Sequence, residues 1–596
     1  MRIITPSANR LVGGLLAMIL VLAVAPLSLA ADVLTIEVDA GEYQIINRDQ
    51  SQLIKMEGFG YLKVPGKPML PAKNFLIALP PGARARSVEV RGIGAEQLPG
   101  TYQIMPTPPI LPLADAPQYQ ELVEELQLEC QENNQTVYSS DQAYPKERGK
   151  LKTLGTLRKY SYVSVSFYPF SYHPQSGRLV HYHAAQITIK YNLPSPGTAE
   201  AQRVDESKRD NLADQRASEL FVNYDEMKGL YQPTGSPREA ESQTHDYVII
   251  TSNTLQSAIV ASNFLDWKAS LGYDIRTVFI TDPEIAGQAG VDLAEKIRNF
   301  LRYNYIPWGI EYVLLVGGCE TIPMRYCYPG GSDVPTDYYY ADLSYSDADS
   351  WDSDGDGVYG EYSQDSPDFL AEVYVGRIPT SDSTRITYTL NKLVAFEQDT
   401  GSWKDQALHA NAISRFANQD YDSVTFVEGH CLYSIEADLM NGWTISHYSE
   451  QEGLSTSGYP WPALSESAFI NDWRNGQYGV VNWYGHGSWS HVVRMVWVWD
   501  DGDGVPETDG SDLIEQPAFI SVWSNLDDDH PSIVFAISCN VGWPEPQAGG
   551  NLGIDLLTEP EFGSSAGIVS ATRSGCATAD WFGRPAGIDA ICYEFN

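Results

Sequence analysis

Cysteine is scarce, basic residues are outnumbered, and long apolar runs are almost missing. The seven cysteines, at positions 130, 319, 327, 431, 539, 576 and 592 of 596, are too few and too scattered for a disulfide framework. An odd number leaves at least one thiol outside any intrachain bond, and Cys539 is the natural candidate; Cys319 and Cys327 alone are close enough in sequence to close a short loop. Lysine and arginine total 39 against 77 aspartates and glutamates, a formal charge of −38. Such a surface repels nucleic acid and anionic lipid, which removes both as expected partners. Past Leu27 no apolar run approaches membrane-spanning length, so no stable membrane insertion is expected once the N-terminal segment is gone.

What is present sorts into segments. Met1 to Ala30 (1–30) reads as a signal peptide: Arg2 and Arg10 supply the positive start, Leu11 to Leu27 the apolar core, and Ser28-Leu-Ala30 a small-residue cleavage site. An exported protein follows, secreted or held at the cell surface or in the periplasm; an uncleaved anchor is the other reading of the same run. Residues 31–195 read as β-rich. Tyr160 to Tyr168 alternates aromatic or β-branched with small polar residues, His173 to Gly177 is a turn, and Gln186 to Tyr191 alternates again, which predicts an antiparallel hairpin with one wet face. His173, His181 and His183 read as surface residues rather than metal ligands. Residues 196–240 are polar enough to predict a linker with one short helical patch around Ala217 to Leu230, and Arg238 is the candidate activation cleavage site. From 241 to 596 strands and helices alternate, beginning with Tyr247 to Thr251, which predicts α/β architecture: parallel sheets with helices on both faces. Pro585 to Asn596 reads as the start of a helix, so the domain is expected to continue beyond this chain.

Two stretches carry the chemistry. Val480 to Ser488 and Ile533 to Gly542 are apolar, β-branched runs that stop at a reactive side chain, His486 in one and Cys539 in the other, with glycine close behind. Sites in parallel sheets form at the carboxyl ends of strands. A thiol beside an imidazole is the minimum for thiol catalysis, since the thiolate attacks and the imidazole later protonates the leaving group. Gly-His-Gly alone is a common turn, and a lone strand-end cysteine is usually an inert small hydrophobe. Their joint occurrence, in this order and on separate strands, points to catalysis.

At these residues the sequence resembles the gingipain family of cysteine peptidases, which have a caspase-like fold. The resemblance rests on Tyr484-Gly-His-Gly-Ser488, on Ser538-Cys539-Asn540 after an apolar strand, and on Glu372-Val-Tyr-Val-Gly-Arg-Ile378. It implies a secreted endopeptidase made as a zymogen, with peptide or protein substrates and its own propeptide as inhibitor. By the same resemblance Cys539 is the nucleophile, His486 the general acid/base, and Glu372 the acid that orients the imidazole. The amides of Gly487 and Cys539 would form the oxyanion hole. The loop after the cysteine, Val541 to Glu545, departs from the family pattern, so a preference for arginine or lysine does not transfer; Trp543 in that loop and Asp382 are the candidate pocket residues. Asp382 has the plainer reading of a helix cap, and Glu372 that of a partner for Arg377. A catalytically dead calcium-bound adhesion module and a transpeptidase using the same thiol are the rival functions.

Two aspartate-rich loops interrupt the alternation. Asp352, Asp354 and Asp356 precede Gly357 at alternate positions, as in the first half of a calcium loop, with Ser363 where an EF-hand has glutamate; Glu361, Asp365 or Asp368 would have to close the shell. Asp500, Asp501 and Asp503 are a shorter echo. Calcium needs several oxygen ligands, and these acids would repel one another without it. A structural calcium ion is therefore the expected cofactor, with no organic one.

Overall fold

The computed structural model describes residues 32–48, 51–112, 120–233, 244–328, 333–344, 351–361, 364–416, 427–507, 512–515, 518–560 and 563–578. The signal segment, Arg238 and the C-terminal helix expected from Pro585 lie outside them.

The N-terminal region is a sandwich of two antiparallel sheets. In one, Asp32–Asp39, Arg84–Gln97 and Phe170–His173 all pair with the long strand Arg178–Asn192. In the other, Tyr160–Phe167 lies between Pro71–Ala78 and Gly149–Leu157. Inward residues of both sheets, among them Leu179, Ile187, Ile77, Val163 and Val165, form one core.

The expected hairpin joins Phe170–His173, not Tyr160–Phe167, to Arg178–Asn192, so the two alternating runs lie in different sheets; two further expectations fail for one reason. Tyr160–Phe167 is buried on both faces, because residues 199–231 are more than a linker with one helical patch. They form helices Ala199–Ser207, Asp214–Leu220 and Tyr224–Met227 and a final turn, Lys228–Tyr231. Ala213, Ala217, Phe221, Met227 and Tyr231 from this segment cover Tyr160 and Tyr162. His181 is likewise not at the surface: it is buried, stacked on Phe170 with centroids 4.7 Å apart, and burial pushes its imidazole down to about 4. His183 is exposed beside Glu96.

The rest of the chain is α/β, as expected. Four strands, β1 (Tyr247–Thr251), β2 (Ile275–Phe279), β3 (Tyr312–Val316) and β4 (Tyr374–Ile378), form a parallel sheet in the order β2-β1-β3-β4. Five more, β5 (Gln406–Asn411), β6 (Thr444–Ser449), β7 (Val480–Tyr484), β8 (Ser532–Ile537) and β9 (Ser565–Ser570), form a second, β6-β5-β7-β8-β9. The two-residue period of a strand sends alternate side chains to opposite layers. Val248, Ile250, Val313 and Leu315 pack on helix Leu293–Asn304, while Ile249, Leu314 and Val316 pack on helix Ser383–Gln398. In the second sheet Leu408 and Ala410 face helix Glu466–Asn475, and Ala407 faces helix His430–Leu439. Asp292, Asp382 and Ser465 each cap the helix that follows, a contribution of about 1 kcal/mol apiece. Among the described residues no helix is long and apolar enough to cross a membrane.

The N-terminal region grips the α/β part at two places. Ile110–Pro112 adds an antiparallel strand to Cys576–Thr578. The two-residue hairpin turn at Arg158 and Lys159 drives Arg158 into the first parallel sheet's surroundings. Its guanidinium donates to the carbonyls of Tyr305 (3.0 Å), Ile310 (2.8 Å) and Glu372 (2.9 Å), and to Asp210 (2.6 Å). Arg158 has φ +52°, a conformation that costs a non-glycine residue about 1 kcal/mol.

Candidate active site

The two central strands of the second sheet bring His486 and Cys539 together. Tyr484 of β7 pairs with Ile537 of β8, and each reactive residue lies two positions beyond that last pair, at the carboxyl end. The backbones then touch: a Cβ on Gly487 would stand 3.0 Å from the amide nitrogen of Cys539 and closer still to its carbonyl oxygen. Only glycine permits that approach, so the two amides expected to form the oxyanion hole lie side by side. The Trp483 indole donates to Ser538 Oγ at 3.0 Å and ties the two strand ends together. Asn540, directly after the cysteine, has φ +58°, so the chain turns away sharply; its amide bonds to the Arg573 carbonyl at 3.0 Å. Local strain of this kind collects at functional sites.

Cys539 is not disulfide-bonded, and neither are Cys319 and Cys327, so the short-loop bond is absent. Its sulfur accepts from the Gly575 amide at 3.2 Å and is 3.6 Å from the Gly575 carbonyl oxygen. His486 Nε2 lies 2.8 Å from the Ser414 carbonyl oxygen. A carbonyl only accepts, so Nε2 carries a proton and Nδ1 is left as the basic nitrogen of the neutral ring. Both reactive residues are buried. Gly575, which holds the sulfur, leads straight into Cys576–Thr578, the strand paired with Ile110–Pro112 of the N-terminal region, and Leu126 of that region packs on the cluster that contains Cys539.

Glu372 is not the residue that orients the imidazole. It precedes β4, at the amino end of the first sheet, whereas His486 follows the carboxyl end of a strand in the second. Its carboxylate instead accepts from the Leu343 amide (2.6 Å), Ser344 Oγ (3.2 Å) and Thr156 Oγ1 of the N-terminal region (3.4 Å). Nor does it pair with Arg377, which makes a double hydrogen bond to Asp337. Burial first, then the charges of Asp368 and Asp342, push Glu372 well up; burial and Asp342 push Asp368 up to about 7. The third group at His486 is the backbone carbonyl of Ser414, which no side-chain motif announces. Ser414 belongs to strand Ile413–Arg415, whose partner strand contains Glu428, a buried acid bonded to Ser457 and Gly458 that sequence reasoning passed over.

Asp382 caps the helix that follows it: its carboxylate accepts from the amides of Thr384 and Arg385 at 2.8 and 2.9 Å. A cavity beside that helix is lined by Glu320, Ser381, Arg385, Gln547, Asp555 and Glu559, and Asp382 is not in its wall. Arg385 pairs with Asp555 and Glu559 there. Trp543 sits in the loop after Cys539 with the Arg573 guanidinium over its ring at 4.0 Å.

Both aspartate loops gather their acids. Ligand oxygens of Asp352, Asp354 and Asp356 lie within 4.8 Å of one another, as do those of Asp500, Asp501 and Asp503. In the first loop Glu361 Oε2 is buried with no hydrogen-bond partner, and burial and the charges of Asp356, Asp354 and Asp365 push that carboxyl up. An orphaned acceptor among acids fits a cation bound by oxygen. Asp365 is occupied with the Ser353 and Glu361 amides, and Asp368 lies away at the N-terminal region's interface. Ser363 is outside the described residues. In the second loop two more acids arrive that sequence reasoning missed, Glu507 and Asp512. The Asp512 carboxyl bonded to it, burial, and the charges of Asp512, Asp503 and Asp501 push Glu507 up to about 7.

Two family profiles cover this chain: that of the C25 propeptide matches residues 33–230, and that of peptidase family C25 matches residues 240–593. The chain belongs to peptidase family C25, the gingipains. The C25 propeptide profile runs through the helices at 199–231, so these pack where their match places them, with the propeptide. Among solved structures, the Arg-specific cysteine proteinase gingipain R is 15% identical over 57% of this chain and 65% of its own, with a TM-score of 0.38. The complex of RgpB pro- and mature domains from Porphyromonas gingivalis is 15% identical over 55% and 64%, with a TM-score of 0.36. A structure of gingipain K latency from the same organism is 18% identical over 27% of this chain and all of its own, at 0.20. This chain thus spans 59–65% of the length of the first solved structures it matches. No curated protein matches.

Proposed function

We propose that this C25 chain is the exported zymogen of a cysteine endopeptidase, held latent by its own propeptide and released by a cut near Arg238. The observation that carries the reading is that His486 and Cys539 stand just past the ends of two paired strands, and that the segment following Gly575 is paired with a propeptide strand.

In the working enzyme the Cys539 thiolate attacks the peptide carbonyl carbon. The amides of Gly487 and Cys539 hold the resulting oxyanion, charge that exists only in the transition state and intermediate. His486, pinned through Nε2 to Ser414, takes and returns the proton at Nδ1, giving it to the departing amine. Water, activated by the same nitrogen, then hydrolyses the thioester and frees the thiol. Calcium, bound at the aspartate loops, would supply fixed positive charge and no chemistry. Asp352, Asp354, Asp356 and Glu361 would hold it in the first loop, Asp501 and Asp503 in the second.

The test is direct. After activation, Cys539→Ala abolishes peptide hydrolysis and His486→Ala nearly does so, while both proteins keep the wild-type melting temperature. Turnover by Cys539→Ala at the wild-type rate overturns the assignment.

A further inference from the structure

We propose that the cavity between the two parallel sheets is a second substrate subsite, that it takes a lysine or arginine side chain a few residues away from the bond being cut, and that Glu320 selects that charge. The inference rests on the peptidase reading of the site and deepens it.

Position is the first argument. The cavity, about 620 Å³ in volume, lies at the carboxyl ends of both sheets: Gly318 and Pro379 in its wall follow β3 and β4, and Pro544 follows β8 through the cysteine loop. Two main-chain bonds hang the wall on the catalytic stretches. The Leu552 amide donates at 2.8 Å to the carbonyl of Trp489, two residues past Gly487, and the Gly553 amide donates at 3.1 Å to the carbonyl of Val541, two residues past Cys539. A Cβ on Gly553 would stand 2.6 Å from that Val541 oxygen, so only glycine permits the approach. An extended chain advances about 3.3–3.6 Å per residue, so a peptide whose carbonyl lies at the Gly487 and Cys539 amides reaches the cavity with a side chain about two to four positions from the cut bond.

The seam is fixed before substrate arrives. Arg385 pairs across it with Asp555 at 3.0 Å and with Glu559, and Lys392 donates to the Leu557 carbonyl at 2.7 Å. Among the described residues none from the propeptide lines the cavity.

Charge is the second argument. Three carboxylates, Glu320, Asp555 and Glu559, share the wall with one guanidinium, that of Arg385, which is engaged by Asp555 and Glu559. Glu320 is exposed and accepts only from the hydroxyls of Ser381 and Thr321; among the described residues no lysine or arginine pairs with it. Pro379, Val522, Pro544 and Pro546 supply apolar wall. A long basic side chain matches both features, its aliphatic stem against the prolines and its charge at Glu320. An acidic side chain is repelled there.

The full chain, cut in the linker and diluted until the propeptide dissociates, is assayed on peptides in which the residue donating the scissile carbonyl is constant and four positions on either side are varied. At one of the varied positions wild type should favour lysine or arginine over a neutral residue by about fivefold in kcat/KM, the size of one partly screened ion pair. Glu320→Gln should bring that ratio close to one, and Glu320→Lys should invert it in favour of aspartate or glutamate. Cleavage of neutral peptides with no basic preference at any varied position overturns the subsite and leaves the peptidase reading standing. A basic preference that survives both Glu320 variants overturns the assignment to this cavity. Wild type that cleaves no peptide overturns the peptidase reading, and the subsite with it.

Discussion

Replacing Arg158 by alanine should loosen the propeptide from the enzyme by about two orders of magnitude. The guanidinium makes three hydrogen bonds across the interface, to the carbonyls of Tyr305, Ile310 and Glu372, at 2.8–3.0 Å. A hydrogen bond from a charged donor contributes about 1.5–3 kcal/mol. The three share one cation and are not additive, and the freed carbonyls regain water in the separated enzyme. A net cross-interface loss of about 3 kcal/mol is a reasonable centre, and at 1.4 kcal/mol per decade that is roughly a hundredfold. The fourth bond, to Asp210, stays within the propeptide. Asp210→Asn therefore separates the two effects: it lowers the propeptide's own stability and leaves the interface bonds in place. The assay uses the full chain cut in the linker, diluted serially, with small-peptide hydrolysis as the readout of dissociation. Arg158→Ala should show activity at about a hundredfold higher total concentration than wild type, and Asp210→Asn much closer to it. A wild-type dilution curve for Arg158→Ala would refute the idea that this side chain is the clasp.

Further outcomes follow from the same geometry. Asp368, pushed up to about 7, and Glu372, also pushed well up, both meet propeptide residue Thr156. An acid whose bound-state value is raised makes the complex take up protons. The cut complex should therefore be tightest below pH 4 and weaken as pH rises from about 4 through 7, and Asp368→Asn should flatten that profile. Glu372→Gln in the activated enzyme should lower kcat/KM less than tenfold, because Ser414 holds the imidazole; a thousandfold loss would restore Glu372 to the catalytic centre. Leu111→Pro, which removes an amide opposite Ala577, should raise the basal hydrolysis of uncut chain severalfold.

How much of this was legible beforehand depends on the kind of signal. The parallel strands were, because runs such as Val248 to Ile250 and Val313 to Val316 are unbroken apolar segments bounded by turn residues. So was the cap at Asp382, and the placing of His486 and Cys539 just past neighbouring strands, since each follows its strand by the same two residues. Glu372 went wrong because order along the chain says nothing about which end of a strand a residue occupies. The carbonyl of Ser414 was invisible, since every residue has one. Polar composition reduced the helices at 199–231 to one patch around Ala217 to Leu230, yet Ala213, Ala217 and Phe221 recur every fourth residue, one face of a helix in plain sight. Glu507 and Asp512 were missed by stopping at the glycines.

The strand Cys576–Thr578 has one further implication. Under the proposed function, removing Ile110–Pro112 leaves a bare run of main-chain donors and acceptors next to the sulfur. Such an edge welcomes any polypeptide that arrives stretched out, whatever its side chains, and refuses one whose amides are already engaged in a helix or sheet. Native proteins would then be attacked only where they fray, and denatured ones throughout, so conformation would govern digestion before sequence does.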